Sequence, residues 1–329
     1  MTVRLTVDRA AWHAHVFTAA AGFGQAVVPV VKGNGYGFGR PVLHQLVPRL
    51  HAGADGHMVC VGTVHELHDV PPGLTPVVLT PTLGPPPDEG AATEPPILTV
   101  GSLEHVQALA GWRGRVIVKL ASSMRRYGAT PHELPALLAA TAAAGLQVHA
   151  FGLHLPLAGD DHARLAEIEA WLPHLETGTE LWVSHLTPAS FTQLCAAQPG
   201  HAFRTRVGTA LWHGAPRGSF VHLTADVLHS QPVLAGETAG YFGTATPCDG
   251  TLLAIGAGSA HGVAPLDDAD PARRSPFHFH RHRLVLLERP HMHTTMAIVP
   301  AGAPCPLVGD RVDVQRPLIG TLVDEVEWV

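Results

Sequence analysis

The stretch VVPVVKGNGYGFGR (27–40) places one lysine between a run of β-branched residues and a glycine-rich turn. Lysine is rare in this chain, because Lys32 and Lys119 are its two lysines and the other nineteen of its 21 basic residues are arginines. An arginine would supply charge at this point equally well, whereas a primary amine can also form a Schiff base with a carbonyl. We therefore predict that Lys32 is a reactive amine at the end of a buried strand.

Short apolar runs alternate with alanine-rich segments from about residue 5 to residue 212. The runs predict strands, and segments such as 132–145 and 162–175 have the apolar spacing of amphipathic helices. Roughly eight strand–helix units in succession predict a parallel sheet closed into a (β/α)8 barrel. Reactive groups of such barrels lie at the carboxyl ends of the strands, so Lys32 is expected at the barrel mouth.

The pattern changes after about Gly214, where alternating apolar and polar residues replace the helical periodicity. Turn residues separate these runs, which predicts an all-β domain of about 110 residues. The expected fold is therefore α/β, with an N-terminal (β/α)8 TIM barrel over residues 8–214. The C-terminal all-β domain is expected over residues 215–329 together with residues 1–7.

Composition narrows the possible partners and location. The net charge is −6 and no basic cluster is present, so nucleic acid is not an expected partner. The N-terminal sequence has no secretory-signal pattern, and no apolar run approaches the roughly 20 residues that a membrane span needs. The four cysteines are far apart and form no CxxC pair, which is typical of reduced thiols. We expect a cytoplasmic protein that binds no membrane.

The lysine stretch resembles the signature of the alanine racemase family, whose members are fold-type III pyridoxal-phosphate enzymes. Other stretches resemble that family in the same order along the chain: KLASSMRRYGA (119–129), GLHLPLA (152–158), WVSHLTP (182–188), RVGTALW (206–212), GETAGYFGT (236–244), MHTTMAIV (292–299) and VGDRVDV (308–314). The resemblance covers nearly the whole chain. It implies the two domains already predicted, a barrel followed by a β domain.

The resemblance implies that pyridoxal 5′-phosphate is bound to Lys32. Phosphate contacts are implied for Tyr36, for Ser184 (with Thr187 as the next choice) and for the backbone amides of Gly208 and Thr209.

The resemblance also implies the residues around the cofactor ring and the substrate. His154 is expected against the ring and Arg206 at its pyridine nitrogen, although Arg204 is close enough in sequence to compete. A cation there opposes protonation of the nitrogen, which weakens the electron sink and suits brief proton removal at Cα. Arg126 is expected near the substrate carboxylate, and Lys119 at a position that is often carbamylated.

The chain departs from the family at two tyrosines. Alanine racemases use the cofactor lysine as one base and a tyrosine in a GYADG turn of the partner subunit as the other. Here the turn is GSAHG (258–262), so Ser259 replaces that tyrosine, and a serine is a poor base near neutral pH. Leu318 replaces a second tyrosine that narrows the entrance. The smaller residues predict a roomier pocket, for a substrate other than alanine or a broader range.

Two histidines are candidates for the missing base. The turn's aspartate has become His261, and the family's Met-Asp pair has become Met292-His293. Histidine titrates near neutrality and can act as a general base. The leading prediction is therefore an isomerase: a homodimer with shared active sites that racemises or epimerises a small amino acid.

Two alternatives remain open. The stretch RPHMHTT (289–295) also resembles the metal motif of D-threonine aldolases and D-serine dehydratases. On a strand, His291 and His293 would project from one face as two metal ligands, which would suit a metal-assisted lyase or dehydratase. The other alternative is a catalytically retired homologue that binds pyridoxal phosphate, since lost tyrosines are what such a protein would show.

Overall fold

The computed structural model describes residues 2–50, 57–86, 95–214, 217–266 and 274–329. The chain divides into two compact units. The barrel unit comprises residues 14–35 and 39–217, and the β unit comprises residues 1–13, 36–38 and 218–329. The domain limits given above stay a prediction, and residue 215, where the second domain is predicted to begin, lies outside the described residues.

The chain starts with strand β1 (Val3–Val7) and helix α1 (Arg9–Ala21). Asp8 stands between them, and its Oδ1 accepts a hydrogen bond from the Ala11 N–H at 2.9 Å. This is the N-cap interaction that an aspartate before a helix favours, because it satisfies an amide that has no partner inside the helix.

The described part of the barrel unit contains eight parallel strands: β2 (Val27–Pro29), β3 (His57–Val61), β4 (Leu74–Val78), β5 (Leu98–Val100), β6 (Arg115–Leu120), β7 (Gln147–Leu153), β8 (Glu180–Ser184) and β9 (Ala202–Val207). Six of them are ordered β2–β9–β8–β7–β6–β5, and β3 pairs with β4. Bridges from Val30 to Cys60 and from Val77 to Ile97 join the two sheets, so the strands close into a ring. The predicted barrel is confirmed.

Helices follow most of these strands: α2 (Arg40–Leu50), α3 (Leu103–Ala108), α4 (Leu134–Ala143), α5 (Asp161–Trp171), α6 (Pro188–Ala197) and α7 (Thr209–Trp212). A 3-10 segment, Val64–Asp69, stands between β3 and β4. Within the described residues, no helix combines the length and the apolar character that crossing a membrane would need.

The barrel interior is filled by side chains from neighbouring strands. The buried cluster consists of Val28, Val30, Met58, Cys60, Val77, Ile97, Ile117, Ala150 and Trp182. Burial of these apolar side chains stabilises the barrel as a packed core rather than a pore. The packed strands give fixed positions to the polar residues that follow them at the mouth.

The β unit is a mostly antiparallel sheet with short added hairpins. Its further strands are β10 (Val221–Val233), β11 (Thr238–Ala239), β12 (Thr244–Ala245), β13 (Gly250–Ile255), β14 (Phe277–Phe279), β15 (His282–Arg283), β16 (Val285–Leu286), β17 (Thr295–Pro300), β18 (Arg311–Val314) and β19 (Glu325–Trp328). The main sheet runs β15–β14–β18–β10–β13–β17–β16, and β1 joins it between β10 and β19. The predicted C-terminal β domain is confirmed.

Candidate active site

Lys32 lies just beyond β2, at the start of a tight turn. The Gly35 N–H donates to the Lys32 carbonyl at 3.1 Å, which closes the turn. Gly33 and Gly35 have φ values of 59° and 63°, a left-handed backbone that glycine adopts without strain. A Cβ on Gly35 would lie 2.3 Å from the Arg40 nitrogen, so a side chain does not fit there. The glycine-rich sequence therefore sets the direction in which the chain leaves Lys32.

The Lys32 amine is electrostatically disfavoured as an ammonium ion. Its pKa is lowered from the ordinary 10.5, first because partial burial removes water and second because Arg126 and Arg206 are nearby cations. Cys60 and Glu66 have smaller effects in the opposite direction. The lowered pKa increases the fraction of neutral, nucleophilic amine near neutral pH.

Lys119 lies on β6 and is almost completely buried, with 5% of its surface exposed. Its Nζ has no hydrogen-bond partner among the described residues. Burial, followed by the charges of Arg206 and Arg126, holds its pKa well below 10.5. A buried cation without a counter-ion is costly, so this amine favours the neutral form or an added negative group.

Arg206, His154 and Ser184 form a hydrogen-bonded group at the ends of β9, β7 and β8. Arg206 Nη2 donates to the Leu153 carbonyl at 3.0 Å and lies 3.5 Å from His154 Nδ1, while its Nε has no partner among the described residues. Ser184 Oγ lies 2.9 Å from the same Nδ1 and accepts from the Leu155 N–H at 3.1 Å. Because arginine can only donate, Nδ1 is the acceptor and the His154 proton is placed on Nε2.

Burial, then Arg206, Lys119 and neighbouring cations, lower the pKa of His154 to about 2, so its imidazole is neutral. The Ser184 side chain is buried, and its hydroxyl is hydrogen-bonded to His154 and to the Leu155 N–H. This favours a role in supporting His154 over direct contact with a phosphate. The assignment of Ser184 to the phosphate stays a prediction.

The other predicted barrel residues lie in the loops of the same mouth. Arg126 is exposed in the loop after β6, with its guanidinium 4.7 Å from the centre of the Tyr127 ring. Gly208 precedes α7, and Thr209 begins it. Amides in the first turn of a helix have no intrahelical acceptor and can bind an anion.

Two residues of the mouth were missed by the sequence analysis. His185 directly follows β8 with a left-handed φ of 65°, and its ring centre is 5.0 Å from that of His154. Partial burial, then Arg206, lowers its pKa to about 4. Glu66 accepts from the Gly33 N–H at 3.0 Å and from the Gly62 N–H at 2.6 Å. The position of His185 at a strand end was a usable signal, whereas the fold was needed to find Glu66.

Tyr36 and Leu318 belong to the β unit. Tyr36 is buried and has a left-handed φ of 58°. Leu318 is also buried, and a Cβ on Gly37 would lie 3.3 Å from its Cβ. The residue in place of the second tyrosine therefore packs against the turn that includes Tyr36.

Ser259 and His261 lie in a 3-10 turn of the β unit. Ser259 is exposed, and its N–H donates to the His291 carbonyl at 2.8 Å. His261 is buried: its Nδ1 accepts from the Gly258 N–H at 3.1 Å, and its Nε2 lies 3.3 Å from Asp324 Oδ2. Both ring nitrogens of His261 are thus engaged. His293 is exposed, with its ring centre 5.7 Å from that of His261.

His291 and His293 do not lie on a strand, so the shared strand face that the metal-site alternative requires is not present at these two residues. Both lie before β17 in an irregular bend, which backbone hydrogen bonds from Ser259 and Ala260 hold in place. His291 Nε2 bonds to Glu288 Oε1, and its ring stacks on Tyr241 with centres 4.1 Å apart. The two histidines therefore have different neighbours. Among the described residues, no group of three potential ligands is arranged to hold a metal ion.

Comparisons with known proteins identify a family and a fold. Residues 7–216 match the family model described as alanine racemase, N-terminal domain.

The crystal structure of alanine racemase from Bartonella henselae with covalently bound pyridoxal phosphate is 20% identical, with a TM-score of 0.72 and 100% coverage of both chains. The biosynthetic alanine racemase from Pseudomonas aeruginosa is 20% identical, with a TM-score of 0.66 and coverage of 100% of this chain and 99% of that one. The alanine racemase from Acinetobacter baumannii is 13% identical, with a TM-score of 0.66 and 100% coverage of both chains. No curated protein sequence matches this chain.

The buried Lys119 amine, which has no hydrogen-bond partner among the described residues, should destabilise the folded protein near neutral pH. Its folded-state pKa lies below 10.5, so the unfolded chain binds the proton more tightly, and the free energy of unfolding rises with pH until about 10.5. We expect Lys119→Met to stabilise the cofactor-free protein at pH 7 by about 1–3 kcal/mol, with a smaller gain at pH 9.5. Urea unfolding at both pH values measures this. Arg115→Met controls for loss of a charge from β6, and an equal gain at both pH values would contradict the explanation.

Proposed function

Since the chain belongs to the alanine racemase family, we propose that it racemises or epimerises a small amino acid by removing and returning the proton at Cα. The observation that carries this proposal is the position of the Lys32 amine, just beyond β2 in a glycine-rich turn at the barrel mouth, where burial and the charges of Arg126 and Arg206 lower its pKa. An amine nucleophile next to two fixed cations suits a ligand that combines a carbonyl with anionic groups.

The residues at the mouth fit pyridoxal 5′-phosphate, the cofactor of this fold-type III family. Arg206 Nε and Lys119 Nζ are buried and, within the described residues, have no hydrogen-bond partner. In the proposed assignment Lys32 would hold the cofactor, Arg206 would face its ring nitrogen, and the neutral His154 imidazole would pack on its ring. The amides of Gly208 and Thr209 would hold its phosphate, with Tyr36 as a further contact.

When bound, pyridoxal phosphate supplies the electron sink that makes the substrate Cα–H acidic. Arg126 binds the substrate carboxylate and orients the Cα–H bond. Lys32, with its lowered pKa, takes the proton on one face. The Arg206 guanidinium would oppose protonation of the ring nitrogen, which suits proton transfer at Cα.

A second residue must exchange a proton on the opposite face. Of the two predicted histidines, His261 is buried with both ring nitrogens engaged, so protonation would disturb its contacts. His293 is exposed. We therefore assign the second base to His293, with His261 as the side chain on which it packs.

The proposed assembly is a cytoplasmic homodimer with shared active sites. Each unit presents exposed apolar side chains of the kind that mark interaction surfaces. On the barrel unit, Leu83 and Leu157 follow β4 and β7 and are each 79% exposed. On the β unit, Tyr241 and Phe242 are 82% and 78% exposed. A second copy of the chain would cover both surfaces.

The central role of Lys32 is tested by removing its amine. Wild-type protein loaded with pyridoxal phosphate should show visible absorption, and borohydride should fix the cofactor to the peptide that contains Lys32. Lys32→Ala should lose both properties and all turnover, because it lacks the only group proposed to hold the cofactor covalently. Lys119→Met, which removes the other lysine and keeps Lys32, should still be labelled at Lys32. Borohydride labelling of a different residue would refute the assignment.

The second base is tested by comparing two histidine variants. We expect His293→Ala to lower kcat for racemisation roughly 100-fold or more, because general acid–base catalysis contributes about 10²–10⁴. His261→Ala should chiefly lower thermal stability, since it removes a buried hydrogen-bonded side chain. Polarimetry and thermal unfolding measure the two effects. Normal kcat in His293→Ala would exclude it as the base.

The dimer is tested by making one exposed surface polar. We expect Phe242→Ser to shift the protein towards monomer in analytical ultracentrifugation and to lower specific activity at nanomolar concentration. Leu234→Ser, at another exposed position of the β unit, is the matched control. A wild-type protein that is monomeric yet active would contradict shared active sites.

A further inference from the structure

Helix α5 (Asp161–Trp171) carries a polar face that is turned towards the loops of the barrel mouth. Asp161, Arg164, Glu167 and Trp171 recur every three or four residues and therefore share one side of the helix. Each of them is hydrogen-bonded to a loop that follows β6, β7 or β8. Most of these bonds reach backbone atoms, so they fix the path of a loop whatever its side chains.

Glu167 and Trp171 hold the loop after β6. The Glu167 carboxylate accepts from the Ser123 N–H at 2.7 Å and from the Ser123 hydroxyl at 2.8 Å. Trp171 Nε1 donates to the Ala121 carbonyl at 2.9 Å. Hydrogen bonds to an ionised carboxylate are stronger than neutral ones. The loop held in this way carries Arg126.

Arg164 holds the loop after β7. Its Nε donates to the Pro156 carbonyl at 3.1 Å, and its Nη2 donates to the carbonyls of Leu157 and Gly159 at 2.7 and 3.0 Å. Three carbonyls thus converge on one guanidinium, whose planar set of donors suits such an arrangement. This loop begins at His154.

Asp161 holds the loop after β8. Its Oδ2 accepts from the Thr187 N–H at 2.9 Å and from the Thr187 hydroxyl at 2.6 Å, and its Oδ1 pairs with Arg164 at 3.0 Å. Thr187 in turn caps α6. The segment fixed between β8 and Thr187 includes His185, whose backbone is left-handed and needs such support.

We propose that α5 is a positioning helix for the active site, and that Glu167 in particular sets Arg126 for recognition of the substrate carboxylate. The inference rests on the proposed role of Arg126. Glu167 touches neither substrate nor cofactor in this scheme. It acts through the 121–128 loop, because an arginine on an exposed loop binds a carboxylate well only if the loop is already ordered.

The test compares Glu167→Ala and Glu167→Gln with Glu169→Ala, all in the cofactor-loaded protein. Glu169 is exposed on the same helix two residues away and controls for loss of a carboxylate from α5. Three quantities are measured: amide hydrogen exchange of residues 121–128, the Kd for acetate as a minimal carboxylate, and KM and kcat for an amino acid that the wild type uses.

We expect Glu167→Ala to raise the exchange rates of 121–128, the Kd for acetate and the KM each about tenfold, with kcat changed less than about threefold. Exchange of residues 33–39 should not change. The values measured for Glu167→Gln should lie between those of Glu167→Ala and those of the wild type, because glutamine keeps one acceptor for the Ser123 N–H. Glu169→Ala should match the wild type.

Equal loop exchange in Glu167→Ala and Glu169→Ala would overturn the inference, as would an unchanged Kd for acetate. A loss of thermal stability with unchanged KM would show a merely structural role and overturn it as well. If the wild type turns over no amino acid, the proposed function fails, yet loop exchange and acetate affinity still decide the role of α5.

Discussion

Burial of two amines close to the Arg126 and Arg206 guanidinium groups in the barrel mouth is the constraint on which the rest of the site depends. Burial and the charges of Arg126 and Arg206 lower the pKa of both Lys32 and Lys119. Cys60 offsets these charges little, because burial raises its thiol pKa to about 12, and Glu66 has a smaller effect on the Lys32 pKa than Cys60 has. Anionic ligands would therefore supply most of the balance. A phosphate-bearing carbonyl cofactor and the proposed amino-acid substrate carry anionic groups of this kind, so the environment that lowers the pKa of the amine also favours their binding.

This cluster of basic side chains persists only if the loops that carry it are held in place. Gly33 is held at both backbone groups, because Glu66 accepts from its N–H and Arg40 Nη1 donates to its carbonyl at 2.5 Å. On the other side of the barrel, α5 holds the loops that follow three strands. His185 and Arg125, with φ values of 65° and 51°, carry backbone strain of about 1–3 kcal/mol each. The hydrogen bonds of these loops offset that strain and keep the cations close together.

The sequence predicts those parts of the structure that depend on local chemistry. Alternation of apolar runs and helices predicted the barrel, and the glycines around Lys32 predicted a turn at a strand end. Contacts between residues far apart in the sequence could not be predicted in this way. The bend at His291 and His293 follows from backbone bonds to Ser259 and Ala260, more than thirty residues earlier. The charged residues of α5 look in sequence like an ordinary solvated helix face, since their loop partners come together only in the folded barrel.

The most direct test of the account is exchange of the Cα proton in D₂O. Purified protein loaded with pyridoxal phosphate is incubated with single L- and D-amino acids, proton NMR follows the Cα signal, and chiral chromatography follows the configuration. Proton transfer on both faces of Cα predicts loss of the Cα signal together with inversion, from either enantiomer of at least one small amino acid. Exchange with full retention, or no exchange with any amino acid, would contradict proton removal on one face and return on the other.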